Sequence, residues 1–355
     1  MWEAIESNRR RSALIVAGMG ALLVVLGVLI GNAIAPRTGV LFGAGVSLFF
    51  WLILWLVAVV QGDQIMLLVA GAQKIEKSDA PQLFNVVEEM VIASGLGKMP
   101  DIYLIADDRP NAFAAGRKAE TRVVCVTSGL LRLLTRDELQ GVVAHEIGHH
   151  KNGDPALMIL MGVMLGAIVL LADVFLRSNL LFGGGRRSSR DKDDNGGLQI
   201  VLVILAVVLA ILAPILAQMM YFACSRRREY LADASAARFT RYPEGLASAL
   251  EKITVQSQGG PKVNRVLAPM YIVNPMEALA AVGLFSTHPP TQNRVHILRA
   301  MGGGVGYVDY DAAYRKITGK AGCIGPRTLS EDTPGTRREA AAPDPALPAA
   351  ETRED

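Results

Sequence analysis

Four long apolar stretches constrain this chain more than any other feature, because each can cross a lipid bilayer as a helix. No charged residue occurs between Arg11 and Arg37, or between Arg37 and Asp63. Two further stretches run over residues 155–172 and about 198–223. Since a helix needs about 20 apolar residues to span the hydrocarbon core, all four are predicted to be transmembrane. The first is not a cleavable signal peptide, because it is too long and a second span follows at once.

Two histidines four residues apart carry the main chemical signal, in the sequence His145-Glu146-Ile147-Gly148-His149. Positions four apart on an α-helix are rotated by only about 40°, so both imidazoles can bind one metal ion. Glu146 points about 100° away from His145 and is better placed to reach a water molecule beside the metal. Such a short pattern also occurs by accident, so a metal site needs further ligands from elsewhere in the chain.

Glu229 is the candidate for the third ligand, since two histidines leave a catalytic zinc one protein ligand short. It closely follows the fourth span, as the His-Glu segment closely precedes the third. Asp233 lies four residues further on, on the same helix face, and could accept a hydrogen bond from a ligand histidine. Alternatively, Glu229 and Asp233 pair with neighbouring arginines on a solvated face. The shared location near the membrane favours the ligand role.

The crossing count places both halves of this site on one side of the membrane, with the N-terminus. Basic residues 9–11 and 226–228 flank this side, whereas the first outer loop carries only Arg37. The excess of Lys and Arg predicts that this side is cytoplasmic. The arginine-rich outer loop, 177–197, opposes this orientation, but a metal site shared across the chain requires both halves on one side.

The soluble segments show helical and strand patterns. Residues 81–96 have helical spacing, and strands are predicted at 101–105, 111–114 and 121–126. A capping-box pattern at Thr135 begins the His-Glu helix. The predicted segments are a cytoplasmic lead (1–12), the first two spans (13–61), one half of a soluble domain (62–154), the last two spans (155–223), the other half (224–320) and a disordered tail (321–355).

Composition excludes other functions. The net charge of +3 is too small to indicate binding to nucleic acid. The three cysteines are far apart and show no CxxC spacing, so neither a disulfide framework nor a cysteine-zinc site is predicted.

Several motifs together resemble those of the HtpX family of membrane zinc metalloproteases, which is related to the CAAX prenyl endopeptidase. The resemblance covers roughly residues 1–300, with four spans in the expected places. The motifs are His145-Glu146-Ile147-Gly148-His149 followed by Asp154, Ser225-Arg226-Arg227-Arg228-Glu229-Tyr230-Leu231-Ala232-Asp233, Asn111-Ala112-Phe113-Ala114, and Thr287-His288-Pro289-Pro290 through Arg294.

This resemblance implies an α+β, mainly α fold: a zincin-like (gluzincin) catalytic domain with a small β-sheet and four transmembrane helices. It implies one Zn²⁺ per subunit, with His145, His149 and Glu229 as the metal ligands. Glu146 and His288 are the expected catalytic residues, and Asp233, Asn111 and Arg294 are expected to support the site or position the substrate.

Together with the basic residues on one side of the membrane, this resemblance implies a zinc endopeptidase of a bacterial inner membrane, with its active site facing the cytoplasm. The expected partners are the lipid bilayer and misfolded or damaged membrane proteins, and homo-oligomers are possible. One alternative is a processing protease for a single lipidated or signalling protein. Another is a non-proteolytic scaffold with a structural zinc, but such a site would not need Glu146 as a base.

Overall fold

The computed structural model describes residues 2–35, 38–182, 196–256, 272 and 289–332. The fold is mainly helical with one small mixed sheet, as predicted. The helices are α1 (Trp2–Ile34), α2 (Thr38–Ala70), α3 (Pro81–Ser94), α4 (Ser128–Leu133), α5 (Arg136–Asn152), α6 (Asp154–Phe182), α7 (Gly196–Thr240), α8 (Pro243–Gln256), α9 (Thr291–Ala300), α10 (Tyr307–Thr318) and α11 (Pro326–Asp332), with a 3₁₀ turn at Ala119–Thr121.

Four helices of the described chain are long and apolar enough to cross a membrane: α1, α2, α6 and α7. Large apolar side chains such as Leu41 and Phe42 are exposed on α2, as expected of a surface in contact with lipid. Helices α1 and α2 approach closely where Gly31 meets Gly39. A Cβ atom added to Gly31 would lie 2.0 Å from the Gly39 carbonyl oxygen, so small residues are required at this crossing.

Helix α7 joins the membrane part to the soluble part without interruption. It contains the fourth predicted span and continues through Glu229 and Asp233 to Thr240. The division predicted at residues 223/224 therefore falls inside one continuous helix.

The sheet has four strands in the order β1-β2-β4-β3. The three predicted strands are present, and β2 and β4 pair in parallel while β3 and β4 pair antiparallel. The short β1 was not predicted, because its two residues carry no period-2 pattern. The strands are β1 (Gln73–Lys74), β2 (Asp101–Ile105), β3 (Ala112–Ala115) and β4 (Val123–Thr127).

Helix α5 lies in the centre of the soluble core. Its first turn has the predicted capping box: the Thr135 backbone N–H donates to the Glu138 carboxylate at 2.9 Å, and the Thr135 side chain accepts from the Glu138 N–H. Gly153, with φ of 73°, ends the helix in the left-handed conformation. Val142, Val143 and Ile147 are fully buried in the same core as the first soluble helix and the sheet.

The tail prediction requires a correction. Helix α11 lies within the segment predicted to be disordered, and Cys323 and Ile324 just before it are buried. The Ile324 N–H donates to Asp311 on α10 at 3.0 Å, which fixes this segment. Composition underestimated the order because a few buried contacts to a folded domain suffice to hold a polar segment. Residues 333–355 and most of the outer loop lie outside the described residues.

Candidate metal centre

Helices α5 and α7 pack against each other and bring the two halves of the predicted site together. The contact is close at Gly148, where an added Cβ atom would lie 3.2 Å from the Ser235 Cβ and 3.3 Å from the Ala232 carbonyl oxygen. Glycine within the His-Glu motif therefore allows the two helix backbones to approach. His145 and His149 then face Glu229 across the helix crossing.

Three side chains converge in the manner of metal ligands. The Nε2 atoms of His145 and His149 are 3.1 Å apart, and each lies 3.5 Å from a Glu229 carboxylate oxygen. Bonds of 2.0–2.1 Å around a tetrahedral zinc ion would separate neighbouring ligand atoms by about 3.3 Å. The donor types and their spacing therefore fit zinc. In the described chain these three residues form the group that could hold a metal ion.

A carboxylate fixes the orientation of each histidine. His145 Nδ1 lies 2.9 Å from Asp233 Oδ1, and His149 Nδ1 lies 2.9 Å from Asp154 Oδ2. A proton on Nδ1 in each ring leaves Nε2 as the free lone pair for a metal. Although burial lowers it, the hydrogen bonds with Asp154 and Glu229 raise the pKa of His149 to about 10. The carboxylates beside His149 thus stabilise a positive charge at this position, which a bound cation can supply in place of a proton.

Arg294 supports the acidic side of the centre. It donates two hydrogen bonds to the Asp233 carboxylate, at 2.8 and 2.7 Å, and a third to the Ile272 carbonyl oxygen at 2.8 Å. Its Nη1 atom also lies 3.5 Å from Glu229. Arg294, Asp233 and Glu229 are buried, so the alternative of a solvated face with local arginine partners does not hold.

Glu146 lines a cavity together with His149 and Glu229, two of the three residues that could hold the metal. It is only 2% exposed, and burial raises the pKa of its carboxyl group. A buried carboxylate with a raised pKa next to a cavity suits a residue that accepts and donates a proton. His150 points elsewhere: its Nε2 atom is 2.9 Å from the Val123 carbonyl oxygen, and burial lowers its pKa to about 3.

Of the two remaining predicted site residues, Asn111 and His288, the structure describes only Asn111. The Asn111 side-chain oxygen accepts from the Ala112 N–H at 2.8 Å and from the Ile272 N–H at 3.3 Å. Its side-chain nitrogen has no hydrogen-bond partner within the described ranges. His288 lies outside the described residues, so its predicted role stays a prediction.

Two residues of the site had no predicted role in it, although one of them, Asp154, stands in a motif that carries the family resemblance. Asp154 begins the next helix, and its carboxylate orients His149 from 2.9 Å. In the sequence, Arg228 counted only as one of the basic residues that predict the membrane orientation. In the structure it is 1% exposed and lines the same cavity. Nothing in its local sequence separates it from Arg227, because only the packing of α7 decides which arginine is buried.

Comparison with known proteins agrees with this geometry. Residues 77–302 match the model of peptidase family M48. A protease HtpX homologue of Dictyoglomus thermophilum is 45% identical over 303 residues, which cover 85% of this chain and 95% of that protein. Another, of Lactobacillus acidophilus, is 38% identical over 304 residues, covering 85% of this chain and 100% of that protein.

The solved crystal structure of S. mikatae Ste24p aligns with 84% of this chain and 67% of its own, at 19% identity and a TM-score of 0.46. A likeness of this size bears on neither fold nor activity. The family model covers more than half of the chain, and the relatives match over nearly their whole length. With its four apolar helices and its metal-ligand cluster, this chain therefore belongs to peptidase family M48, among the multi-pass membrane proteases of HtpX type.

Proposed function

We propose that the protein is a zinc-dependent endopeptidase of gluzincin type, with His145, His149 and Glu229 as metal ligands. The observation that carries this proposal is the convergence of the two Nε2 atoms and the Glu229 carboxylate at 3.1–3.5 Å, beside a buried glutamate. A structural zinc site would need no such glutamate.

Zinc in this centre would supply Lewis acidity, which lowers the pKa of a water molecule in the cleft and polarises the carbonyl group to be cut. Glu146 accepts the water proton and passes it to the leaving nitrogen. Asp233 and Asp154 hold the imidazoles in place, and Arg294 holds Asp233. For His288, which lies outside the described residues, our proposal keeps the catalytic role that the family resemblance implies: a hydrogen bond donated to the developing oxyanion.

Strand β3 is a candidate docking edge for an extended substrate. It is the last strand in the sheet order, and its residue Ala114 lines the cavity beside Glu146. A peptide that adds to this edge would be held through backbone hydrogen bonds, with weak dependence on its side chains. Asn111 precedes the strand, and its side-chain nitrogen, which has no partner among the described residues, could donate to the same peptide. Such recognition suits a protease with many substrates.

We place the centre at the cytoplasmic surface of a bacterial inner membrane, and we infer that misfolded or damaged membrane proteins are its substrates. Asp154, which contacts His149, is also the first residue of the membrane helix α6. The site is thus close to the point where α6 enters the bilayer, within reach of exposed loops of membrane proteins. The basic residues 9–11 and 226–228 support the cytoplasmic orientation.

The deciding experiment compares wild type with Glu146→Gln, both purified in detergent and loaded with zinc. We expect Glu146→Gln to keep its zinc and to lose about 10²- to 10⁴-fold in cleavage of an unfolded membrane protein, as general-base catalysis is removed. Equal cleavage by both proteins would refute the mechanism. Glu229→Ala is expected to lose zinc, and full occupancy with normal turnover would remove Glu229 from the ligand set.

The positions of the cleavage sites distinguish the proposed quality-control role from the alternative of a processing protease. Several unrelated unfolded proteins are digested, and the new termini are identified by mass spectrometry. Varied cleavage sites are expected for quality control, whereas one fixed sequence would favour the processing role.

A further inference from the structure

Arg228 is a buried, positively charged residue that lines the cavity, and the mechanism proposed above gives it no role. The cavity is lined by Ala114, Glu146, His149, Asp154, Pro155, Met158, Arg228 and Glu229. Arg228 is 1% exposed. A fully buried guanidinium is costly unless its charge and its N–H groups are satisfied.

Within the described chain, only some of the N–H groups of the Arg228 guanidinium have a partner. One terminal nitrogen, Nη2, contacts the Met158 sulfur, and Nε lies 3.8 Å from Asp154 Oδ1, too far for a hydrogen bond. The other terminal nitrogen, Nη1, is buried and has no hydrogen-bond partner among the described residues. Asp154 therefore offsets part of the charge, while Nη1 of this cavity-lining residue stays a strong donor without an acceptor among the described residues.

The charges around the cavity indicate which acceptor it would take. Three carboxylates, Glu146, Asp154 and Glu229, already line this space. With zinc bound, its two charges and that of Arg228 balance these three carboxylates, so the space gains little from a further anion such as the C-terminus of a peptide. A neutral carbonyl oxygen keeps this balance and still accepts a charge-assisted hydrogen bond.

We propose that Arg228 is a substrate-binding residue, whose Nη1 group donates a hydrogen bond to an internal backbone carbonyl oxygen of the peptide. This proposal rests on the proposed peptidase function and deepens it. The carbonyl lies on the membrane side of the cleft, beside Pro155 and Met158 in the first turns of α6. An apolar substrate side chain next to it fits these two neighbours, and the peptide continues past Arg228, so that internal bonds are cut.

Binding and cleavage are measured with Arg228→Met, Arg228→Lys and the matched control Arg227→Met. Arg227 is the neighbouring half-buried arginine, which contacts the Cys323 carbonyl oxygen outside the cavity. The probe is a fluorescently labelled casein peptide whose C-terminus is either free or amidated. Its Kd is measured on full-length protein that also carries Glu146→Gln, and KM and kcat are measured without that change. Bound zinc is quantified in every variant.

We expect Arg228→Met to raise both Kd and KM about 10- to 100-fold, the range for loss of a hydrogen bond to a charged group, with normal zinc content. Arg228→Lys should recover part of the affinity, Arg227→Met should match its parent, and the free and amidated peptides should bind alike.

Unchanged Kd and KM in Arg228→Met would overturn the proposal. So would a loss of zinc in step with activity, since Arg228 would then act only through Asp154 and His149. A preference for the free carboxylate that disappears in Arg228→Met would also overturn it, in favour of a C-terminal carboxylate site. If Arg228→Met does not fold, Arg228→Lys decides by the same measurements. If the wild type cleaves no better than Glu146→Gln, the peptidase proposal fails, while the Kd still tests Arg228.

Discussion

At the scale of single residues, the centre is a set of paired charges rather than three isolated ligands. Each histidine has a carboxylate at 2.9 Å from its Nδ1 atom, and Arg294 in turn holds Asp233. A buried carboxylate without such partners would be strongly destabilised. The supporting residues therefore have to be considered together with the ligands when variants are interpreted.

Asp233→Asn is expected to weaken zinc binding about 10- to 100-fold, the usual effect of losing a carboxylate that orients a ligand histidine. The asparagine can present its nitrogen to His145 and favour the wrong ring tautomer, and it removes the nearer of the two carboxylates that pair with Arg294. Zinc affinity is measured by competition with a chelator. Glu244→Gln is the control, since Glu244 pairs with Arg299 at an exposed position. Equal affinities in both variants would contradict this orienting role.

Glu138 gives a pH-dependent prediction. Burial raises its pKa, but hydrogen bonds from Lys252 and Ser248 and from Thr135 lower the net pKa from 4.5 to about 2. Because the folded state holds the proton less tightly than the unfolded state, Glu138 stabilises the fold above about pH 4.5, and this stabilisation is lost as the pH falls towards 2.

The unfolding temperature of wild type in detergent should therefore exceed that of Glu138→Gln at pH 7. The difference should shrink as the pH falls from about 4.5 towards 2. A difference that stays constant over this range would show that the carboxylate charge does not contribute.

At the scale of helices, the crossing of α5 and α7 assembles the ligand set. Gly148 sits at the contact, and the nearest atoms to an added Cβ include the Ala232 backbone, which cannot move aside cheaply. We expect Gly148→Val to separate the helices and to abolish zinc binding. Gly162→Val on α6 is the matched control, since an added Cβ meets nothing within 4 Å there. Normal zinc content in Gly148→Val would show that the centre tolerates a wider crossing.

At the scale of the whole molecule, the membrane helices belong to the architecture of the site. Helix α7 carries Glu229 at the end of the fourth span, and α6 begins at Asp154, next to His149. The two halves of the soluble domain are thus connected through the bilayer, and the α6–α7 pair fixes their spacing.

Replacing residues 155–223 by a short flexible linker should therefore reduce zinc content strongly, even where the product is soluble. After this replacement, the remaining part of α7 (residues 224–240) no longer packs against α6, which positions it in the full-length protein. Zinc per protein is measured after purification, with deletion of residues 333–355 as the control that keeps every described contact. Full zinc content in the spanless protein would show that the soluble domain assembles alone.

The sequence alone determined the four spans, the capped His-Glu helix, three of the four strands and the donor types of the centre. These features are set locally: by the length of apolar runs, by helical spacing and by side-chain chemistry. The family that the motifs resemble was confirmed as well.

Only the tertiary structure decided which charges are buried. It selected Arg228 over Arg227, brought Asp154 back onto His149, paired Asp233 with Arg294 from a distant helix, and folded Ile324 and α11 onto the domain. Such contacts join residues far apart in the chain, and their energies depend on burial and on the partner present, which no local pattern contains. The same holds for the cavity, where Arg228, whose Nη1 has no hydrogen-bond partner among the described residues, lines the same space as three carboxylates.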